Sequence, residues 1–159
     1  MSINNISERN ITFLDTVVEK GNLKNIYEAR DLTEVVFRTM RDLMPNETVD
    51  KVVSELQGES LESLPTAAKN LQEDIDISRL WQDTNPIVSW LSRLRSPLAI
   101  DDEVFIRRIE QEGGMPDTTD GETVTKAVFT ATKAELSNER INEIAQFLPG
   151  KIQQLWQSA

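Results

Sequence analysis

The sequence predicts an all-α protein: a compact bundle of about nine short helices in two related halves, with a pseudo-two-fold internal repeat. Three observations predict it. Apolar residues recur at i, i+3, i+4 and i+7 in several segments, the spacing of one helical face. One such pattern, LTEVVFRTMRDLMPNETVDKVVSEL, returns later as VTKAVFTATKAELSNERINEIAQFL. Capping and stop residues stand where the stripes begin and end, and no alternating strand pattern competes with them.

Sliding the chain by 92 positions lays residues 13–57 on 105–149 without a gap. Only about eight of these 45 positions are identical, so the match rests on apolar positions that coincide. Leu14 meets Ile106, Val17 meets Ile109, Leu23 meets Met115, Leu32 meets Val124, Val49 meets Ile141 and Val52 meets Ile144. Such coincidence is expected of two copies with one packing plan.

The elements follow in order. Repeat unit one runs over about 13–81. Within it Asn25 and Glu28 have the spacing of a helix-capping box. In the helix near 28–44, Leu32, Val35, Val36, Met40, Leu43 and Met44 mark one broad face. Val49, Val52, Val53 and Leu56 form the next stripe. The segment GESLESLPTAAKNLQED, or part of it, is an insertion. The unit's ending, ISRLW at 77–81, comes 17 residues later than the 92-residue register places its counterpart, IQQLW at 152–156. An unpaired connecting helix is expected over about 86–95. It is opened by Asn85-Pro86 and striped by Ile87, Trp90, Leu91 and Leu94. Repeat unit two runs over about 102–156. Its first helix begins near Asp102 and stops at Gly113-Gly114 and Pro116. Thr119 and Glu122 read as a capping box for the next. Ile141, Ile144, Ala145 and Leu148 then repeat the earlier stripe. The whole of 1–159 is read as a single all-α domain, in which each short unit hides its apolar face against the other.

At 159 residues the chain is long enough to bury a real core. It carries 27 acidic and 17 basic residues, a formal charge of −10. That balance disfavours nucleic acid and anionic membranes as partners. No apolar stretch approaches the ~20 residues of a membrane span, and MSINNISERNITFL lacks the pattern of a signal peptide, so a cytoplasmic location is expected. The chain has no cysteine and no histidine. Disulfides, thiolate chemistry, Ser-His arrangements and Cys/His metal sites are therefore excluded.

The run LSNERINEIAQFLPGKIQQLW, preceded by TKAVFTATKAE, resembles the bacterial family catalogued as domain of unknown function 2267. Phe105, Leu136-Ser137 and Leu148-Pro149 match its outline, and the first half carries a weaker copy. That copy departs where Pro45 stands for Ser137 and Gln57 for Pro149. The resemblance implies an all-α fold with two related halves. It implies no activity.

Each candidate site also has a plainer use for the same residues. DTTDGE at 117–122 fails as a calcium loop, because Gly121 is fifth rather than sixth and Val128 stands where the twelfth-position Glu belongs. Helix capping explains it better. Asp101, Asp102 and Glu103 suit the positive end of a helix dipole, all facing water. Glu73, Asp74 and Asp76 read as a solvated turn. Ser137, Thr33 and Thr125 have no visible base and read as caps or helix-interior residues. Arg79, Arg93, Arg95, Arg107 and Arg108 make the middle third basic. They suit a ligand's or partner's anionic groups, or the protein's own surplus of carboxylates. Trp81, Trp90 and Trp156 suit core packing, or a partner-facing hot spot. The contact candidates are thus Trp81, Trp90, Arg93, Arg95, Arg107 and Arg108.

No catalytic residue, cofactor or metal is expected. The leading expectation is a non-catalytic protein-interaction or scaffold module with an unidentified protein partner. A homo-oligomer is compatible with it. The alternative is a binder of an apolar small molecule in a groove between the two halves. A carboxylate-based enzyme ranks last.

Overall fold

The computed structural model describes residues 2–57, 77–81 and 100–159. The expected insertion at 58–74, the connecting helix at 86–95, the acidic group at 73–76 and the side chains of Arg79, Trp90, Arg93 and Arg95 lie outside the described residues. So does part of any tally of nine helices. Every regular element among the described residues is an α-helix: α1 (Ser2–Gly21), α2 (Ile26–Asp42), α3 (Asn46–Gln57), α4 (Ile77–Trp81), α5 (Asp102–Glu112), α6 (Gly121–Lys133), α7 (Asn138–Ala145) and α8 (Gly150–Ser158).

Local chemistry sets most boundaries. Helix α1 ends in a Schellman closure: Asn22 takes the left-handed conformation (φ 57°) and the Leu23 N–H donates to Val18 O at 3.0 Å. Ninety-two residues on, Gly114 takes the same left-handed role after α5 (φ 63°). Asn25 caps α2 by accepting from the N–H groups of Tyr27 and Glu28, both at 3.0 Å. Glu28 completes the start by accepting from the Lys24 N–H at 2.8 Å. Ser137 caps α7, accepting from the Arg140 N–H at 3.2 Å. Its counterpart Pro45 precedes α3 and has no side-chain acceptor to offer.

One cap differs from the expectation. Helix α6 is capped by Asp120, whose Oδ1 accepts from the Thr123 N–H at 2.8 Å, not by Thr119. The Thr119 hydroxyl oxygen is buried without a hydrogen-bond partner. The boundary is fixed from outside, because the Gly121 N–H donates to the Glu110 carboxylate at 3.1 Å.

Helices α1 and α5 each pack against both α2 and α6, which also touch one another. Helices α3 and α4 lie together, with α4 on α2. Helices α7 and α8 lie together, with α8 on α6 and α5. Contacts between α3 and α7 join the two flanks. The buried apolar residues of both flanks belong to one cluster, from Phe13 to Trp156.

Its aromatic members are arranged alike at corresponding positions. Phe37 meets Phe13 edge-on (centroids 6.1 Å apart) and Trp81 edge-on (5.0 Å). Phe129 meets Phe105 (6.4 Å) and Trp156 (5.0 Å) in the same way. All but Phe13 and Trp156, which are nearly so, are completely enclosed.

Candidate functional site

The two described tryptophans are spent inside. Trp81 is completely buried against Phe37, and its indole N–H donates to Val49 O at 3.1 Å. Trp156 is buried against Phe129 and donates to Ile141 O at 3.0 Å. A buried indole needs a hydrogen-bond partner, and each finds a carbonyl in the neighbouring short helix. This leaves no face of Trp81 for a partner at the surface.

The two described arginines among the contact candidates part company. Arg108 is half-buried and turned inward, 2.9 Å from Asp42 of α2 and 3.4 Å from Glu112 on its own helix. Arg107, one residue earlier, is exposed and in no ion pair among the described residues. Near α5, Arg38 adds a pair to Glu112 at 3.8 Å and one to Glu34 at 3.6 Å. Alternating charges thus lace α2 to α5.

A second charged junction joins α3 to α7. The Glu55 carboxylate accepts from the Ser137 N–H at 2.7 Å and from Arg140 Nε at 2.8 Å. Arg140, itself buried, donates its Nη1 to Glu143 at 2.8 Å. Lys51 of α3 reaches Glu143 at 3.8 Å and Glu47 at 3.2 Å. Burial pushes the Glu55 carboxyl up. The Ser137 N–H and the Arg140 guanidinium outweigh that together and hold it below the usual glutamate value. The same hydrogen bonding, from Glu55 first, raises Arg140.

The acidic start of α5 is not wholly solvated. Asp101 caps the helix by accepting from the Val104 N–H at 2.8 Å. Asp102 is half-buried, and its Oδ2 accepts from the Lys151 N–H at 3.0 Å. It therefore serves the start of α8, whose own cap position holds Pro149 with no side-chain acceptor. In the 117–122 loop, Asp120 is held below the usual aspartate value, chiefly by the Thr123 N–H. Glu122 pairs with Lys151 at 2.7 Å, and the Thr118 hydroxyl donates to Asn22 O at 2.9 Å. Thr33 and Thr125 lie inside α2 and α6, completely buried, with hydroxyls that have no partner.

An open groove of about 700 Å³ lies between α1, α6 and α8. Ala127 and Leu155 form its apolar part. Lys20, Lys126, Thr123, Thr130 and Ser158 give it polar edges, with Asp120 and Glu122 at one end. Nothing local in the sequence marks it, because Lys20 and Lys126 stand alone on polar faces of different helices. Among the described residues no three acidic groups are placed to share a metal ion, and no helix is long and apolar enough to cross a membrane.

Comparison with curated proteins finds no match. A family model described as "Uncharacterized conserved protein (DUF2267)" matches residues 11–155, which take in every member of the aromatic pairs except Trp156. The chain belongs to the DUF2267 family.

Proposed function

We propose that the chain is a non-catalytic protein-interaction or scaffold module built from two copies of one helical unit. The observation that carries the first part is how the charged side chains are used. Glu55, Arg140, Arg108, Asp42 and Glu112 hold helices together, and Asp101, Asp102 and Asp120 close helix starts. A proton-transfer residue needs a pKa near the working pH. Here Glu55 and Asp120 are held low, and Arg140 and Lys151 are held high. All four are fixed as charges, which suits a framework rather than acid–base chemistry.

The two-copy reading is supported by contacts at positions 92 apart. Phe13–Phe37 and Phe105–Phe129 are such pairs, as are the left-handed residues Asn22 and Gly114. Indole bonds to Val49 O and Ile141 O add a third. In this reading α1–α4 form one unit and α5–α8 the other.

The exposed groups available to a partner include Tyr27, at the start of α2, and Arg107, on α5 next to the residue that pairs with Asp42 at the other end of α2. Tyr27 is 60% exposed, and the Arg30 guanidinium lies over its ring at 5.5 Å. Tyrosine and arginine are the types that contribute most at interfaces. The apolar-ligand alternative draws less support, because the groove between α1 and α6/α8 is edged with lysines and hydroxyls.

The test is affinity capture from cell extract with the wild-type chain and with Tyr27→Asp/Arg107→Glu, both first shown to melt alike. A partner held stoichiometrically by the wild type and released by the variant is expected. Turnover of a substrate by the purified chain, with no partner recovered, would overturn the reading.

A further inference from the structure

The charges lacing α2 to α5 have counterparts 92 residues away, on α6 and α1, and there they are lost or reversed. Lys126 stands for Glu34, Thr130 for Arg38 and Lys20 for Glu112. Thr16 stands for Arg108 and Ala134 for Asp42. One flank of the bundle is therefore self-neutralised, by Glu34–Arg38, Arg38–Glu112 and Arg108–Asp42. The other carries two ammonium groups and no carboxylate at the matching positions. Lys20, Lys126 and Thr130 all line the 700 Å³ groove.

The two carboxylates that also line the groove, Asp120 and Glu122, already have partners. Asp120 accepts from the Thr123 N–H at 2.8 Å, and Glu122 is 2.7 Å from Lys151 Nζ. The Ala159 oxygen accepts from Lys133 Nζ at 3.0 Å. Neither Lys20 nor Lys126 is in an ion pair among the described residues. Nor are these lysines part of a generally basic surface, since the chain carries −10. Beneath them lie the buried Ala127 and Leu155. The volume is in the range of small-ligand sites, and the lining is mostly polar around a small apolar floor, which suits a charged ligand.

We propose that this groove binds a small organic anion, its carboxylate or phosphate meeting Lys20 and Lys126 and its carbon skeleton resting on Ala127 and Leu155. The proposal goes beyond the interaction-module reading and does not need it. It needs the groove and the charge exchange seen in the 92-residue register.

The experiment is an amide-resolved NMR titration of the full chain at low ionic strength, where exposed charges are least screened. Succinate and inorganic phosphate are the separate probes. The proteins are wild type, Lys20→Met/Lys126→Met, and the charge-matched control Lys24→Met/Arg107→Met. Circular dichroism first confirms that all three fold. At least one probe should saturably shift the amides of Lys20, Thr123, Lys126 and Thr130. The Kd should rise about tenfold or more in the groove variant, because charge-assisted hydrogen bonds are lost, and stay unchanged in the control. A response to succinate alone identifies a carboxylate ligand, and one to phosphate alone a phosphate ligand. No saturable shift with either probe, or equal weakening in both variants, would overturn the proposal.

Discussion

Glu55 of α3 and Arg140 of α7 meet at 2.8 Å across 85 residues of chain, and the same carboxylate takes the first free N–H of α7 at Ser137. One side chain thus satisfies a helix start and a buried guanidinium together. Truncating it leaves Arg140, only 8% exposed, with Glu143 alone. Glu55→Ala is therefore expected to cost about 1.5–3 kcal/mol, the range for hydrogen bonds to charged groups. Urea denaturation followed by tryptophan fluorescence measures it.

The same contact gives a pH dependence with a definite sign. The Glu55 pKa is lowered on folding, and so is that of Asp120. A lowered carboxyl contributes stability that is fully present above its unfolded value, about 4. The contribution is lost as pH falls through the folded value. Melting temperature should hold steady from neutral pH to about 5 and fall below about 4. Glu55→Gln, which keeps the shape but cannot ionise, should melt lower at neutral pH and show a shallower acid loss. An equal acid slope in both proteins would refute this assignment.

Phe37 and Phe129 are each completely buried, and each bridges a phenylalanine and a tryptophan edge-on. Neither sits at the edge of its helical stripe. Phe37→Ala and Phe129→Ala should each cost about 3–5 kcal/mol, through lost burial and a cavity. Because one apolar cluster joins both flanks, each variant should still unfold in one transition, seen alike by fluorescence and circular dichroism. If either variant keeps full stability but loses a partner, its ring is a binding element instead.

What could be read in the sequence was what neighbours in the chain decide. The stripe Leu32, Val35, Val36, Met40 fixed the buried face of α2, and Asn25 its start. Gly113-Gly114 marked the end of α5, and Ser137 the start of α7. Contacts made across the fold left no local mark. Glu55 and Arg140 look like ordinary solvated charges until α3 and α7 are brought together. Arg107 and Arg108 carry the same sequence signal, and a rotation of one residue about α5 separates an exposed side chain from one paired to Asp42. Thr119 and Asp120 are both good cap residues. The choice fell to Asp120 because Glu110, on another helix, takes the Gly121 N–H.

Gly150 shows such a cross-fold demand in a motif visible as LPG. Its φ is +39°, and a Cβ there would lie 2.7 Å from Asp102 Oδ2. Gly150→Ala therefore meets backbone strain of about 1–2 kcal/mol and pushes away the carboxylate that serves the start of α8. Adding Asp102→Ala removes the collision but not the strain. The double variant should thus lose less than the sum of the single losses, a coupling that thermal melts of the four proteins resolve.

The last prediction concerns Thr33 and Thr125, 92 residues apart in the interiors of α2 and α6. Both are completely buried, and both hydroxyls lack a hydrogen-bond partner. Elsewhere in the same helices a threonine hydroxyl donates back along the helix: Thr39 to Val35 O at 2.8 Å and Thr132 to Val128 O at 2.7 Å. A buried hydroxyl without a partner keeps its desolvation cost of about 1–3 kcal/mol. Valine has nearly the same shape and no polar atom. Thr33→Val and Thr125→Val should therefore each be neutral or stabilising by up to about 1 kcal/mol, with the remainder offset by imperfect repacking. Thr39→Val and Thr132→Val should instead destabilise by about 1 kcal/mol, since each breaks a satisfied bond. Urea midpoints at constant m-value separate the two classes. If Thr33→Val and Thr125→Val both destabilise as much as the other pair, their hydroxyls are hydrogen-bonded in solution, and the buried helix interiors of α2 and α6 must hold an acceptor for each.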